Sequence, residues 1–306
     1  TQYEKNGSPS GNEYTSRLMG FLGNVNYSYD ERYLLDLSFR EDASSRFGAN
    51  KRWAPFWSAG IGWNMANEKC MKDLGFVNTL KLRATYGLTG SQNFDPYQAM
   101  TTYEYLTGHR YHYGVGATLM AIGNDNLAWQ RTHETNIGLD LGLWNDRLQF
   151  TFDYYVKNTK DLLTSVTLPP SLGFTSYMAN LGEVQNKGWE LNVKATVIND
   201  RANKLYWSLF GSMIHNTNKL LKISDALKAY NDKQDSSMTP SGKNDVHTPR
   251  VRFVEGESIN SIWVNQSLGV DPLTGREVFL DSHGNKVSEW NVNNYVIGGC
   301  TDPTIE

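Results

Sequence analysis

The chain has 306 residues, a formal net charge of −3 and 20% charged residues, a balance that argues against non-specific nucleic-acid binding. No run of about 18 apolar residues occurs, which excludes a helical membrane protein but not a β-barrel, where only alternate residues face lipid. Cys70 and Cys300 are too few and too far apart to suggest a disulfide framework or a metal site.

Period-two alternation sets the predicted elements. The first strand covers 16–29, with Met19, Phe21, Val25, Tyr27 and Tyr29 on one face and Asn24, Asn26 and Ser28 on the other. Asp30-Glu31 turns the chain into 32–40, where Tyr33, Leu35, Leu37 and Phe39 oppose Asp36, Ser38 and Arg40. A polar loop, 41–52, precedes a strand over 53–66 that aligns Trp57, Ala59, Ile61, Trp63 and Met65. Gly60 and Gly62 fall on its other face, as where a wall bends or something packs closely. Residues 68–74 are expected to form a short helical turn, and 78–88 a fourth strand with Lys81, Arg83 and Thr85 on its polar face.

Residues 89–131 are long, rich in Gly, Tyr and Asn, and poorly periodic, so a functional loop is expected. Then comes the strongest signal, 132–163. Ile137, Leu139, Leu141 and Leu143 alternate with polar or glycine neighbours, as do Phe150, Phe152, Tyr154 and Val156 beyond a turn at 144–147. Arms of about 9–11 residues are what a strand needs to cross a bilayer. A loop over 164–186, strands at 187–199 and 205–215, a helix over 219–230, a mobile polar stretch over 231–248 and short strands over 252–280 around the turn Asp271-Pro-Leu-Thr-Gly275 complete the reading.

Roughly eight long strands have short connections on one side and long loops on the other, which is the outer-membrane barrel pattern. The expected fold class is therefore all-β, a transmembrane antiparallel β-barrel. Residues 1–215 are assigned to barrel strands and loops, and 216–306 to a large extracellular loop leading to further strands. With no initiator Met and no closing strand, the chain reads as an interior piece of a longer protein.

Five carboxylates, Asp140, Asp153, Asp161, Glu183 and Glu190, invite a paired-carboxylate catalytic reading. Several fall where a wet lumen would carry polar residues in any case, so no enzyme and no cofactor are expected. His109 and His112 lack a third ligand at metal spacing. Tyr105, Tyr111, Tyr113 and Trp129 are candidate substrate contacts, because an aromatic ring with a polar handle stacks on sugars; packing is the alternative. Trp57, Trp63, Trp189 and Trp207 are expected to anchor the wall at the membrane interfaces.

Five stretches resemble the SusC/RagA family of TonB-dependent outer-membrane transporters: 33–48 (YLLDLSFREDASSRFG), 80–90 (LKLRATYGLTG), 129–138 (WQRTHETNIG), 179–191 (ANLGEVQNKGWEL) and 269–275 (GVDPLTG). The resemblance implies a parent barrel of about 22 strands with a plugged lumen in a Gram-negative outer membrane. It also implies a SusD-like lipoprotein partner, TonB contacted through a segment outside this chain, and glycan or peptide cargo. Where the family often has an acidic, glycine-rich turn, this chain reads Asp281-Ser-His-Gly-Asn285, with too few carboxylates for a calcium loop. A passive barrel without energy coupling and a soluble carbohydrate-binding module are the competing readings.

Overall fold

The computed structural model describes residues 13–71, 74–92, 95–112, 114–167, 176–180, 182–200, 202–223, 227–229, 231–232 and 250–303. Its first twelve strands are β1 (Leu18–Tyr29), β2 (Tyr33–Ser44), β3 (Trp53–Asn64), β4 (Val77–Ser91), β5 (Thr102–Tyr111), β6 (Gly114–Ala121), β7 (Gln130–Leu143), β8 (Leu148–Lys160), β9 (Leu163–Thr167), β10 (Ser176–Asn180), β11 (Glu183–Asp200) and β12 (Leu205–Lys222). Eight of them form one antiparallel sheet in the order β1-β2-β3-β4-β7-β8-β11-β12. β5–β6 and β9–β10 are separate hairpins inserted at one end. The sheet does not close, so β1 and β12 each keep an unpaired edge.

Register follows the alternation. Val25 pairs with Leu37, Leu35 with Ile61, Ile61 with Ala84, Ala84 with Ile137, Ile137 with Tyr154, and Tyr154 with Trp189. A slip of one residue in any strand would swap its apolar and polar faces, so the pattern locks the register. Among the described residues, none covers the apolar face: Val25, Ile61, Ile137, Tyr154 and Leu209 are all exposed. In a water-soluble sheet that face would be the core.

The buried core lies instead in two clusters at the long-loop ends. The first gathers Phe47, Ala54, Phe56, Ala99, Leu127 and Trp129. It joins three segments that are distant in sequence. Gly48 donates to the Leu127 carbonyl at 3.1 Å, and a Cβ there would meet the Asp125 carbonyl oxygen at 2.0 Å, so only glycine fits. The second gathers Val184, Leu220, Ile223 and Leu227, with Leu162, Phe253 and Ile259 against them. It fastens the far ends of β11 and β12 to Phe253 and Ile259, in the segment between the first two of the remaining strands, which are β13 (Arg250–Val251), β14 (Ser261–Val264), β15 (Ser267–Val270), β16 (Glu277–Leu280), β17 (Lys286–Val287) and β18 (Val296–Cys300). These form two three-stranded sheets, β13-β14-β18 and β15-β16-β17. The Asp271–Gly275 turn is made as expected, with Leu273 N–H and the Thr274 hydroxyl donating to the Asp271 carboxylate.

The expected elements differ from the structure in five places. Residues 89–131 contain the β5–β6 hairpin, hidden because its register breaks between Thr102 and Tyr103 and again between Tyr105 and Arg110. Residues 164–186 contain β9–β10. After a 3-10 turn at Met65–Asn67, the described residues 68–71 and 74 make i→i+3 bonds, Met71 N–H to Glu68 and Leu74 N–H to Met71, with no helix among them. Lys219 to Lys222 extend β12, because Leu220 is drawn into pairing with Val184 and exchanges backbone bonds with Gly256 and Glu257; among the described residues of the expected helix and just beyond it, 227–229 and 231–232 are helical. Strict alternation over 187–199 would set Val197 on the face of Trp189 and opposite Trp207; the register of β11 breaks between Thr196 and Ile198, so Ile198 stands there instead. The expectation for 233–248 lies outside the described residues.

Candidate functional site

The polar face is a wall of cross-strand charge pairs. Arg83 pairs across β4–β7 with Gly138, and Gly138 across β7–β8 with Asp153. With no side chain at Gly138, the guanidinium crosses over it. Arg83 donates to both Asp140 oxygens, at 2.9 and 3.1 Å, and to Asp153 at 3.2 Å. A Cβ at Gly138 would sit 2.8 Å from that guanidinium and 2.6 Å from Asp153. Glu190 continues the row opposite Asp153. One step away, the Tyr155 hydroxyl donates to Asn216 Oδ1 at 3.3 Å, its ring lying over Gly188 with Lys157 Nζ 5.0 Å from the ring centroid. Glu134–Lys157 is a further pair on this face, whereas Arg131–Asp161 and Lys160–Glu183 lie on the other face at its loop end. Asp140 and Asp153 thus share a cationic neighbour, an arrangement suited to a hydrated wall rather than to a general acid facing a general base. Among the described residues, no three His, Cys, Asp or Glu side chains converge as a metal site requires.

Above the wall, the loops carry the aromatic candidates. Trp129 is 5% exposed. Its ring stacks on Phe47 at 4.3 Å, meets Phe56 edge-on at 5.3 Å, and its indole N–H donates to the Arg52 carbonyl. Both ring faces are therefore used in packing. Tyr105 is 71% exposed on β5, and Tyr103, two residues earlier on the same strand face, is exposed beside it. The Tyr111 side chain and all of Tyr113 lie outside the described residues. In the sequence Tyr103 is one tyrosine among several of the Tyr-rich stretch 97–113; strand parity within β5 sets it beside Tyr105.

On the apolar face, Trp57, Trp63 and Trp207 are exposed and Trp189 is half-exposed. Trp53, Tyr29 and Tyr33, which the sequence reading did not single out as anchors, share that face and are exposed too. Trp57 meets Tyr86 edge-on at 5.5 Å, and the Tyr86 hydroxyl bonds His133 Nδ1. At the tight-turn end, Glu68 accepts from Trp63 Nε1 (3.2 Å), the Tyr33 hydroxyl (3.0 Å) and Arg32 (3.1 Å). The Trp63 indole first, then the Tyr33 hydroxyl and the Arg32 guanidinium, hold the Glu68 carboxyl below the usual carboxylate range. In the loop domain, Asp281 accepts from the His283 and Asn285 backbone and the Asn285 amide. These bonds, led by the Asn285 backbone N–H, lower its pKa; the carboxylate serves the turn.

A family model described as TonB dependent receptor-like, beta-barrel matches residues 2–296. TonB-dependent receptor P39 of Formosa agariphila is 33% identical over 268 residues, covering 87% of this chain and 24% of the relative. TonB-dependent receptor SusC of Bacteroides thetaiotaomicron is 31% identical over 278 residues, covering 88% of this chain and 27% of the relative. The chain thus spans about a quarter of the length of these relatives. Among solved structures, the RagAB peptide transporter superposes with a TM-score of 0.78 at 25% identity, over 95% of this chain and 30% of that one. The RagAB peptide importer in its 'open-open' state gives 0.73 at 25% identity, again over 95% and 30%.

Proposed function

The chain belongs to the TonB-dependent receptor β-barrel family, a family of outer-membrane transporters and receptors, and from that premise we propose that it forms wall and extracellular loops of an active importer of oligosaccharides or peptides. The observation that carries this reading is the two-faced sheet: an unpartnered apolar face, a face of charge pairs behind it, tight turns at one end and folded loops at the other. Lipid satisfies the first face and a hydrated passage the second.

In this reading residues 1–215 are wall strands and loops, and 216–306 an extracellular region leading to further strands. Substrate meets Tyr103 and Tyr105 on the β5–β6 hairpin; Trp129 acts one layer behind, holding the segments that flank that hairpin. The charge pairs present fixed dipoles to a passing polar solute. A SusD-like lipoprotein on the extracellular side and TonB on the other complete the system. Likeness to a peptide importer supports peptide cargo and likeness to SusC supports the same transporter architecture.

The test is uptake of labelled oligosaccharide and peptide pools by cells carrying the full-length protein, with and without TonB. Uptake that requires both the protein and TonB supports the reading, and the pool taken up names the cargo class. Protein-dependent uptake indifferent to TonB makes this a passive barrel.

A further inference from the structure

The apolar face is not uniform at its loop end. On β3, Trp53 and Trp63 bracket about ten residues, ~34 Å of strand at ~3.4 Å per residue. At a tilt of ~40° this is ~26 Å of height, the thickness of a barrel's apolar band. Taking Trp63, Leu143, Leu148 and Trp207 as the turn-side edge, the loop-side edge lies about ten residues along each strand. It falls at Trp53, His133, Asn158 and Thr217. At or just beyond it, on four adjacent strands, the same face carries Arg131 of β7, Lys160 of β8, Lys187 of β11 and Lys219 of β12.

The register sets them in two neighbouring pairs, since Lys160 faces Glu183, four residues or ~14 Å along β11 from Lys187. Arg131 pairs with Lys160, Lys187 pairs with Val156 on one side and Thr217 on the other, and Lys219 pairs with Gln185. All four are exposed. Asp161 and Glu183 lie against Arg131 and Lys160, which leaves the patch net positive. Directly below, toward the centre of the band, the face turns apolar and aromatic with Tyr154, Val156 and Trp189. At the same height on β1–β3 the face carries Met19, Ala43 and Trp53, which pair in register and bear no charge. Arg17, two residues beyond Met19 on β1, and Glu41 on β2 share this face, so the cations are densest along β7–β12, one on each of four adjacent strands, and sit where an amphiphile's headgroup would lie if its chains ran down the wall.

We propose that Arg131, Lys160, Lys187 and Lys219 form a binding site for a phosphate-bearing lipid of the surrounding leaflet, its phosphate at Lys187 and Lys219 with Arg131 and Lys160 flanking it, and its acyl chains along Tyr154, Val156 and Trp189. The proposal rests on the barrel-in-membrane reading. Charge complementarity selects the headgroup, since a cation at a bilayer surface attracts an anionic lipid at about 1 kcal/mol, roughly fivefold in affinity. The apolar surface below selects a lipid over a free phosphate.

The test uses the full-length protein in detergent and native mass spectrometry with added dioleoyl phosphatidic acid, against phosphatidylcholine and inorganic phosphate. Lys187→Gln/Lys219→Gln is the informative variant, because Arg131 and Lys160 also hold Asp161 and Glu183. Lys194→Gln, on the opposite face of β11, is the control. The expected result is preferential retention of phosphatidic acid, weakened at least about fivefold in the double variant and by rising salt, and unchanged in the control. Equal retention by wild type and double variant, equal loss in the control, or retention of inorganic phosphate alone would overturn the site. Failure of the wild-type protein to form a heat-resistant β-rich species in detergent would remove the barrel premise instead, a result visible before lipid is added.

Discussion

Gly188 sits between two strands with no room for a side chain: a Cβ would meet the His215 carbonyl oxygen at 2.1 Å and the Tyr155 hydroxyl at 2.7 Å. The tyrosine could swing away, but the backbone oxygen could not without parting β11 from β12. Gly188→Ala is expected to cost ~1–3 kcal/mol, as overpacking does, read as a lower urea midpoint for the full-length protein in detergent. An unchanged midpoint would mean that the strands yield freely there. Glu68 carries a pH prediction. Its folded pKa is depressed, so its contribution is present above the unfolded value near 4.5 and is lost as pH falls through the lower folded value. Glu68→Gln should therefore be less stable than wild type at pH 7, and the gap should close below the unfolded carboxylate range. The check is a pair of urea titrations at the two pH values; a gap that persists in acid would assign the role of Glu68 to packing rather than charge.

At the scale of elements, the strands do two jobs at different heights. β11 and β12 each run for 18 residues, well past the ~9–11 needed to cross a bilayer. Their outer thirds carry Val184 and Leu220 into the second apolar cluster and so brace the loop sheets. β5 and β6 pair with each other and stand outside the eight-strand sheet. Deleting 102–121 and joining the ends with a short Gly-Ser linker should leave a heat-resistant barrel while cutting import at least tenfold, because Tyr103 and Tyr105 leave with the hairpin; binding and uptake of labelled cargo decide it. Intact import would move substrate contact to other loops. The first apolar cluster explains the stretch FREDASSRFG (39–48): Phe47 fills the core, Gly48 permits contact with 124–127, and Asp42, 5% exposed, pairs with Arg40.

For the whole molecule, the unpaired edges and the bare apolar face dominate. An open eight-strand sheet exposes two rows of unpaired backbone groups, which in water invite aggregation, and its largest apolar surface awaits lipid. The isolated 306-residue chain should therefore fail to fold cooperatively in plain buffer and become β-rich only in detergent or within the rest of the barrel. Circular dichroism in buffer and in detergent checks this, and a cooperative melt in buffer alone would contradict it.

Much of this was legible from residues alone. The alternation of Leu, Ile, Phe and Tyr around 144–147 specifies the β7–β8 hairpin, because period two is a local property and a half-exposed strand must obey it. The tight turns were legible for the same reason. What the tertiary structure alone decided depends on contacts between segments far apart in the chain. Trp129 looks like a surface aromatic until Phe47 and Phe56, brought in from other segments, cover it. The β5–β6 hairpin breaks its own period and is recognised only by its partner strand. The cationic row joins residues 131, 160, 187 and 219, whose spacing along the chain carries no signal. Strand pairing gathers them along the loop-side edge of one face, because register converts distance along four strands into height on a wall.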